Sequence, residues 1–115
     1  MRVRREFEFE AAHRLPRHTG KCRRPHGHSY RLVVTVDRPV DPDSGLAIDF
    51  ADLRETVERE VISALDHRDV NEILENPTAE AMAVWIWSRL AVPLAGLDEV
   101  ELHETRSCSV VYRGD

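Results

Sequence analysis

The sequence predicts an α+β fold in the order strand, strand, helix, helix, strand, strand: an antiparallel sheet with two helices on one face. Three observations carry this. Apolar and polar residues alternate with period two towards both ends of the chain. Between those segments the apolar spacing becomes helical. Clusters of Pro, Gly, Asp and Ser separate the segments. The 115 residues fit one domain, residues 1–115, with a single core of two packed layers.

In the first strand Val3, Phe7, Phe9 and Ala11 share one parity, and Arg4, Glu6, Glu8 and Glu10 share the other, the pattern of a half-buried strand. Residues 14–25 are polar, contain Pro16, Gly20 and Pro25, and read as a loop. Alternation resumes from His26 to Asp37, with Tyr30, Leu32, Val34 and Val36 on one face. Pro39 to Gly45 is a turn region. Asp49 is placed to cap a first helix with the stripe Phe50, Leu53, Val57, Val61, Ala64 and Leu65. A second helix starts at Thr78, after Asn76-Pro77, and ends before Pro93. Its stretch from Ala81 to Trp87 is apolar nearly all round, which predicts burial on more than one side. The last strands are Glu99 to Thr105 and Cys108 to Arg113. Open edges on so small a sheet favour oligomerisation.

The net charge of -5 hides an asymmetry. Residues 2–38 carry ten Lys/Arg and four Asp/Glu; residues 39–115 carry six and seventeen. The acidic total argues against nucleic-acid binding, which needs a broad basic surface. The basic third suits a small polyanion. No apolar run approaches the ~20 residues of a membrane span. The N-terminus is polar and alternating from the start, unlike a signal peptide, so the expectation is a cytoplasmic protein. Two cysteines build no disulfide framework, and in that compartment a thiol points to reactivity or metal binding.

His13 continues the parity of Phe7, Phe9 and Ala11, while His26 and His28 continue that of Tyr30 and Leu32. If the strands extend that far, three imidazoles converge on the inner face at one end of neighbouring strands. That matches a catalytic zinc site, three protein ligands with one open position. Cys22, four residues before His26, has two readings. It is either a fourth ligand closing a structural site, or a free thiol among Lys21, Arg23 and Arg24 that accepts a proton. A closed site leaves the other polar residues unexplained, which favours the second. Cys108 reads as an inert core thiol. Asp66-His67 can form a proton relay, but by itself the pair is a weak signal, and a helix-terminal imidazolium meeting the dipole explains it better. Glu104 has the apolar parity of Val100 and Leu102: either a buried carboxylate awaiting paired N–H donors, or a solvated residue past the strand's end. Trp85 and Trp87 read as core or interface, and His18 and His103 as solvent-facing.

Together these residues resemble the 6-pyruvoyl-tetrahydropterin synthase family, most closely its bacterial branch of 6-carboxy-5,6,7,8-tetrahydropterin synthases of queuosine biosynthesis. The segments that carry the resemblance are Phe9-Glu10-Ala11-Ala12-His13-Arg14-Leu15, Cys22 to His28, Leu65-Asp66-His67, Asn76-Pro77-Thr78-Ala79-Glu80, Glu104-Thr105 and Tyr112-Arg113-Gly114-Asp115. The resemblance implies the tunnelling fold, with subunits joined through their sheets into a barrel, as a trimer or hexamer with sites at the interfaces. It implies Zn2+ on His13, His26 and His28, Cys22 as the catalytic thiol, and His67 as the relay histidine supported by Asp66. It implies that Glu104 anchors the pterin ring and joins the relay, with Thr105 beside it in substrate binding. The implied reaction converts 7,8-dihydroneopterin triphosphate to 6-carboxy-5,6,7,8-tetrahydropterin, releasing acetaldehyde and triphosphate. The three-residue gap between Cys22 and His26 resembles the carboxy-forming branch. The rivals are the pyruvoyl-forming activity and a non-catalytic zinc module closed by Cys22 and the three histidines.

Overall fold

A computed structural model describes residues 1–115. The two N-terminal alternating segments form a long hairpin: β1 (Arg2–His13) and β2 (His26–Asp37) pair antiparallel from Arg2↔Asp37 to His13↔His26. β4 (Leu97–His103) pairs antiparallel with β2, and β5 (Ser109–Tyr112) with β4. A two-residue strand, β3 (Arg68–Asp69), joins the other edge, giving the order β3-β1-β2-β4-β5.

β3 corrects the expectation of an all-antiparallel sheet, because it runs parallel to Ala11-Ala12 of β1. The cause is local. His67 takes the left-handed φ of 58°, and its N–H donates to the Glu10 carbonyl at 2.6 Å. That bond lays the next two residues along the free edge of β1, in its own direction.

Both helices cover one face of the sheet. The first starts at Phe50–Val57, capped by the Asp49 carboxylate on the Ala51 N–H, passes through a π turn at Glu58–Ile62, and ends at Ser63–Leu65. Its buried residues Leu53, Val57, Val61 and Leu65 recur every four positions. Four residues overshoot an α-helical turn by ~40°, and the wider π turn takes up that drift. Ile62 joins the stripe through this turn, whereas Phe50, expected on it, is 59% exposed. The second helix, Ala79–Leu90, is capped by Thr78 and buries Met82, Ala83, Ile86 and Leu90. These side chains share one core with Phe7, Phe9, Tyr30, Leu32, Val34, Val100 and Leu102. No helix is long and apolar enough to cross a membrane.

Three further expectations need correction. β4 starts earlier than predicted and stops at His103. Cys108 is exposed rather than in the core, because it lies in the turn before β5 begins. His103 is half-buried on the helix-free face, with Arg31 Nη2 at 3.0 Å and Glu101 Oε2 at 3.1 Å from its Nε2.

Gly96 sets the entry into β4. Its φ is 80°, its carbonyl accepts the Asp37 N–H at 2.8 Å, and a Cβ there would strike the Asp37 carbonyl oxygen. Gly96→Ala is therefore expected to destabilise the fold by about 2 kcal/mol or more. Thermal unfolding checks this, and an unchanged midpoint would remove the constraint.

Candidate active site

Sheet register assembles the site. His13 faces His26 directly across the β1–β2 pair, and His28 faces Ala11, one step along the same face. The imidazole centroids lie 4.5, 4.9 and 5.0 Å apart. Backbone carbonyls orient two of the rings: His13 Nδ1–H donates to Pro77 O at 2.8 Å, and His26 Nδ1–H to Arg24 O at 2.7 Å. That assignment leaves lone pairs on both Nε2 atoms, which face each other at 2.9 Å. His28 Nε2 is buried with no hydrogen-bond partner. Glu104 Oε1 lies 3.2 Å from Nε2 of both His13 and His28.

These four ligand atoms all lie within 4.8 Å of one another. Lone pairs and a carboxylate oxygen turned towards one point repel unless a cation or proton sits among them. Nδ1–H bonds to carbonyls behind the ligating nitrogens are also the usual outer support of metal-bound histidines. The donor set therefore fits a divalent ion that accepts imidazole and carboxylate.

Burial lowers the pKa of His13, against the pull of the Pro77 carbonyl, and likewise lowers that of His28, against the pull of Glu104. As pH falls, an unfolded histidine, titrating near 6.5, takes up its proton before these folded ones do. Their contribution to the stability of the metal-free protein is thus full above about pH 6.5 and declines below it. Thermal midpoints measured on both sides of that pH should show the fall, and His28→Gln should reduce its slope. Equal slopes in the two proteins would exclude the histidines as the cause.

The supporting groups come from three elements. Pro77 precedes the Thr78 cap of the second helix, so the helix start places the carbonyl that holds His13. Tyr30 stacks on Phe9 and brings its hydroxyl within 3.3 Å of His13 Nδ1; burial pushes its phenol pKa up and keeps it neutral. Glu104 lies one residue beyond β4, and its N–H donates to the Cys108 carbonyl. Both readings of Glu104 hold in part: the strand has ended, yet the carboxylate turns inward.

Cys22 sits on a short 3-10 turn, Lys21–Arg23, held by the Leu15 N–H on its carbonyl at 2.8 Å. It is half-buried and lines a cavity of 420 Å³ with Lys21, His26 and His28. It stands outside the group of four ligand atoms, whose non-histidine member is Glu104.

Asp66 and His67 do pair. His67 Nδ1 lies 3.0 Å from Asp66 Oδ1, which also accepts the Glu10 N–H at 3.0 Å. The Glu10 N–H, with His67 adding to it, holds the Asp66 carboxyl below the usual carboxylate range. The imidazole is 79% exposed and shares a cavity with Glu10, Ala12, Gly27, His28 and Ser29. Cys22 lines a different cavity from His67, and His28 borders both.

The profile of a family described as 6-pyruvoyl tetrahydropterin synthase matches residues 2–115. The chain belongs to that family. The Caenorhabditis elegans 6-pyruvoyl tetrahydropterin synthase superimposes with a TM-score of 0.92 at 28% identity, covering 100% of this chain and 96% of that one. The fold is therefore the family's tunnelling fold. A 6-carboxy-5,6,7,8-tetrahydropterin synthase of Synechocystis sp. is 43% identical over 115 residues, covering 94% of this chain and 89% of that protein. The Homo sapiens 6-pyruvoyl tetrahydrobiopterin synthase is 34% identical over 134 residues, covering 98% and 91%. The family's relatives are pterin synthases.

Proposed function

We propose that this protein is a zinc-dependent 6-carboxy-5,6,7,8-tetrahydropterin synthase acting on 7,8-dihydroneopterin triphosphate in queuosine biosynthesis. The observation that carries the reading is the convergence of three imidazoles, with Cys22 lining the cavity beside two of them. A structural zinc module closed by Cys22 would need its sulfur among the ligand atoms, and Cys22 lines the neighbouring cavity outside that group.

His13, His26 and His28 would hold the metal, which when bound polarises substrate oxygens and acidifies the adjoining C–H and O–H groups. Cys22 accepts a proton from the substrate side chain. His67, its Nδ1–H directed at Asp66, presents Nε2 to return a proton elsewhere on the substrate. The ring is thereby reduced at the expense of its own side chain, and no nicotinamide is needed. Triphosphate leaves, a water adds to the side-chain carbon attached to the ring, and cleavage of the next carbon–carbon bond leaves a carboxylate there and releases the two terminal carbons as acetaldehyde. Glu104 offers a carboxylate to the aminopyrimidine N–H edge, with Thr105 beside it.

Since Cys22 and His67 line different cavities within one chain, the relay pair that serves Cys22 is read as a neighbouring copy's, in a homo-oligomer. Mixed assemblies of Cys22→Ala and His67→Ala chains, each inactive alone, should then regain activity. Random mixing makes about one quarter of the interfaces competent. Mixtures that stay inactive would place both groups in one subunit.

The deciding experiment is product analysis after incubating zinc-loaded protein with 7,8-dihydroneopterin triphosphate. Acetaldehyde with 6-carboxytetrahydropterin is the expected result. A pyruvoyl pterin would favour the sister activity, for which the similarity to the human enzyme speaks. Unchanged substrate in a folded, metal-loaded protein would reject both.

A further inference from the structure

Residues 66–77 run beside the free edge of β1 and carry two parts of the site: the Asp66-His67 pair at one end and the Pro77 carbonyl at the other. The first end is pinned at Glu10, whose N–H donates to Asp66 Oδ1 and whose carbonyl accepts the His67 N–H. Arg68-Asp69 then pairs with Ala11-Ala12. β3 ends at Asp69, opposite Ala12, so this pairing stops before it reaches His13.

Asn71 takes over where the strand stops. Its Oδ1 accepts the Arg14 N–H at 2.8 Å, and its Nδ2 donates to the Arg14 carbonyl at 2.9 Å and to the Glu75 carbonyl at 3.3 Å. One carboxamide thus supplies the donor and acceptor of a paired strand residue and spends its second N–H on the returning chain. Aspartate has the same shape but no donor. The Asn71 backbone is itself set: it lies in the Val70–Glu72 turn, its N–H donates to Asp69 Oδ1 at 3.0 Å, and Val70 is buried in the core. Arg14 directly follows His13, and Glu75 shortly precedes Pro77. The carboxamide therefore braces both sides of the bond from His13 Nδ1–H to Pro77 O. A second link between the two stretches, Arg17 with Glu75 at 3.4 Å, is exposed on both partners and holds weakly.

We propose that Asn71 is a positioning residue for the metal centre: its carboxamide sets the Pro77 carbonyl against His13 Nδ1, and so fixes the direction and the tautomer in which His13 presents Nε2. Without that carbonyl the Nε2–H tautomer becomes available, and it points a proton where the ligand lone pair must be. Asn71 acts only through Pro77 and His13. The inference rests on the metal reading of the histidine cluster, not on the identity of the substrate.

The test combines zinc titration against a competing chelator with the heteronuclear NMR signal of the His13 Nδ1–H in metal-free protein. Asn71→Ala removes the carboxamide. Asn71→Asp keeps its shape and its acceptor but turns a carboxylate oxygen on the Arg14 and Glu75 carbonyls. Both should weaken zinc binding about 10-fold or more, the lower end of the effect of losing an outer partner of a metal-bound histidine. Both should also lose the slowly exchanging His13 Nδ1–H signal. Leu94→Ala is the control for lost stability: Leu94 is buried and shortly precedes Gly96, whose carbonyl bonds Asp37 at the end of β2 away from the histidines. It should lower the unfolding midpoint yet change zinc affinity less than about 2-fold. In the unaltered protein the Arg14 amide should be protected from hydrogen exchange, a measurement that needs no variant to fold. Zinc affinity and the His13 signal unchanged in both Asn71 variants, an unprotected Arg14 amide, or an equal loss of zinc affinity in Leu94→Ala would each overturn the proposal. If the zinc pattern holds while no pterin turns over, the positioning role stands and the functional reading fails. If the unaltered protein binds no zinc, both fall.

Discussion

Cys22→Ala is expected to give a folded, metal-loaded protein whose turnover falls by about 10²- to 10⁴-fold, the usual share of a general acid–base group. The loop around Cys22 is held by backbone bonds, among them Leu15 N–H to the Cys22 carbonyl, which do not involve the sulfur. The thiol is half-buried, so truncating it leaves no deep cavity, and a stability change below about 1 kcal/mol is expected. The ligand group contains Glu104 rather than Cys22, so metal content should be unchanged. Elemental analysis, thermal unfolding and turnover on one preparation separate the alternatives. Loss of metal together with loss of the fold would mean that Cys22 closes a structural site, since structural zinc contributes folding energy directly.

His13→Ala should remove both metal and turnover. His13 is 1% exposed and has the most contacts of the three histidines: Pro77 O, the Tyr30 hydroxyl, His26 Nε2 and Glu104 Oε1. Truncation orphans the buried Pro77 carbonyl and empties a packed position, at a cost of about 2–4 kcal/mol. The variant should thus be folded but less stable, with metal bound far below one ion per chain. Chelation of the unaltered protein should abolish turnover, and added zinc should restore it; zinc should not rescue the variant. His13→Ala protein that keeps a full complement of tightly bound metal would show that the ion sits elsewhere. Because His13 and Glu104 are in contact, a Glu104→Gln change combined with His13→Ala is not expected to be additive.

Much of this was legible before folding. The parities of β1 and β2 carry both the hydrophobic face and the three histidines, because a strand's period of two ties them together. Thr78 and Asp49 cap the helices as their residue types predict. Other features left no such trace. The short parallel strand depends on the left-handed turn at His67, a conformation unusual for a histidine. The exposure of Cys108 depends on where β4 ends, and strand ends are poorly marked by alternation alone.

By itself, the sequence determined which residues share a face, which residue types could bind a divalent ion, and the family resemblance that the whole-chain match bears out. The tertiary structure decided which of the candidates meet. It set Glu104, not Cys22, among the ligand atoms, and it put Asp66-His67 along the free edge of β1. It also supplied the Pro77 and Arg24 carbonyls that orient two of the imidazoles. The physical reason is that every residue but proline carries the same backbone donor and acceptor, so no residue type announces which carbonyl will serve a histidine. The packing of the second helix against the sheet selects Pro77, and the turn before β2 places Arg24.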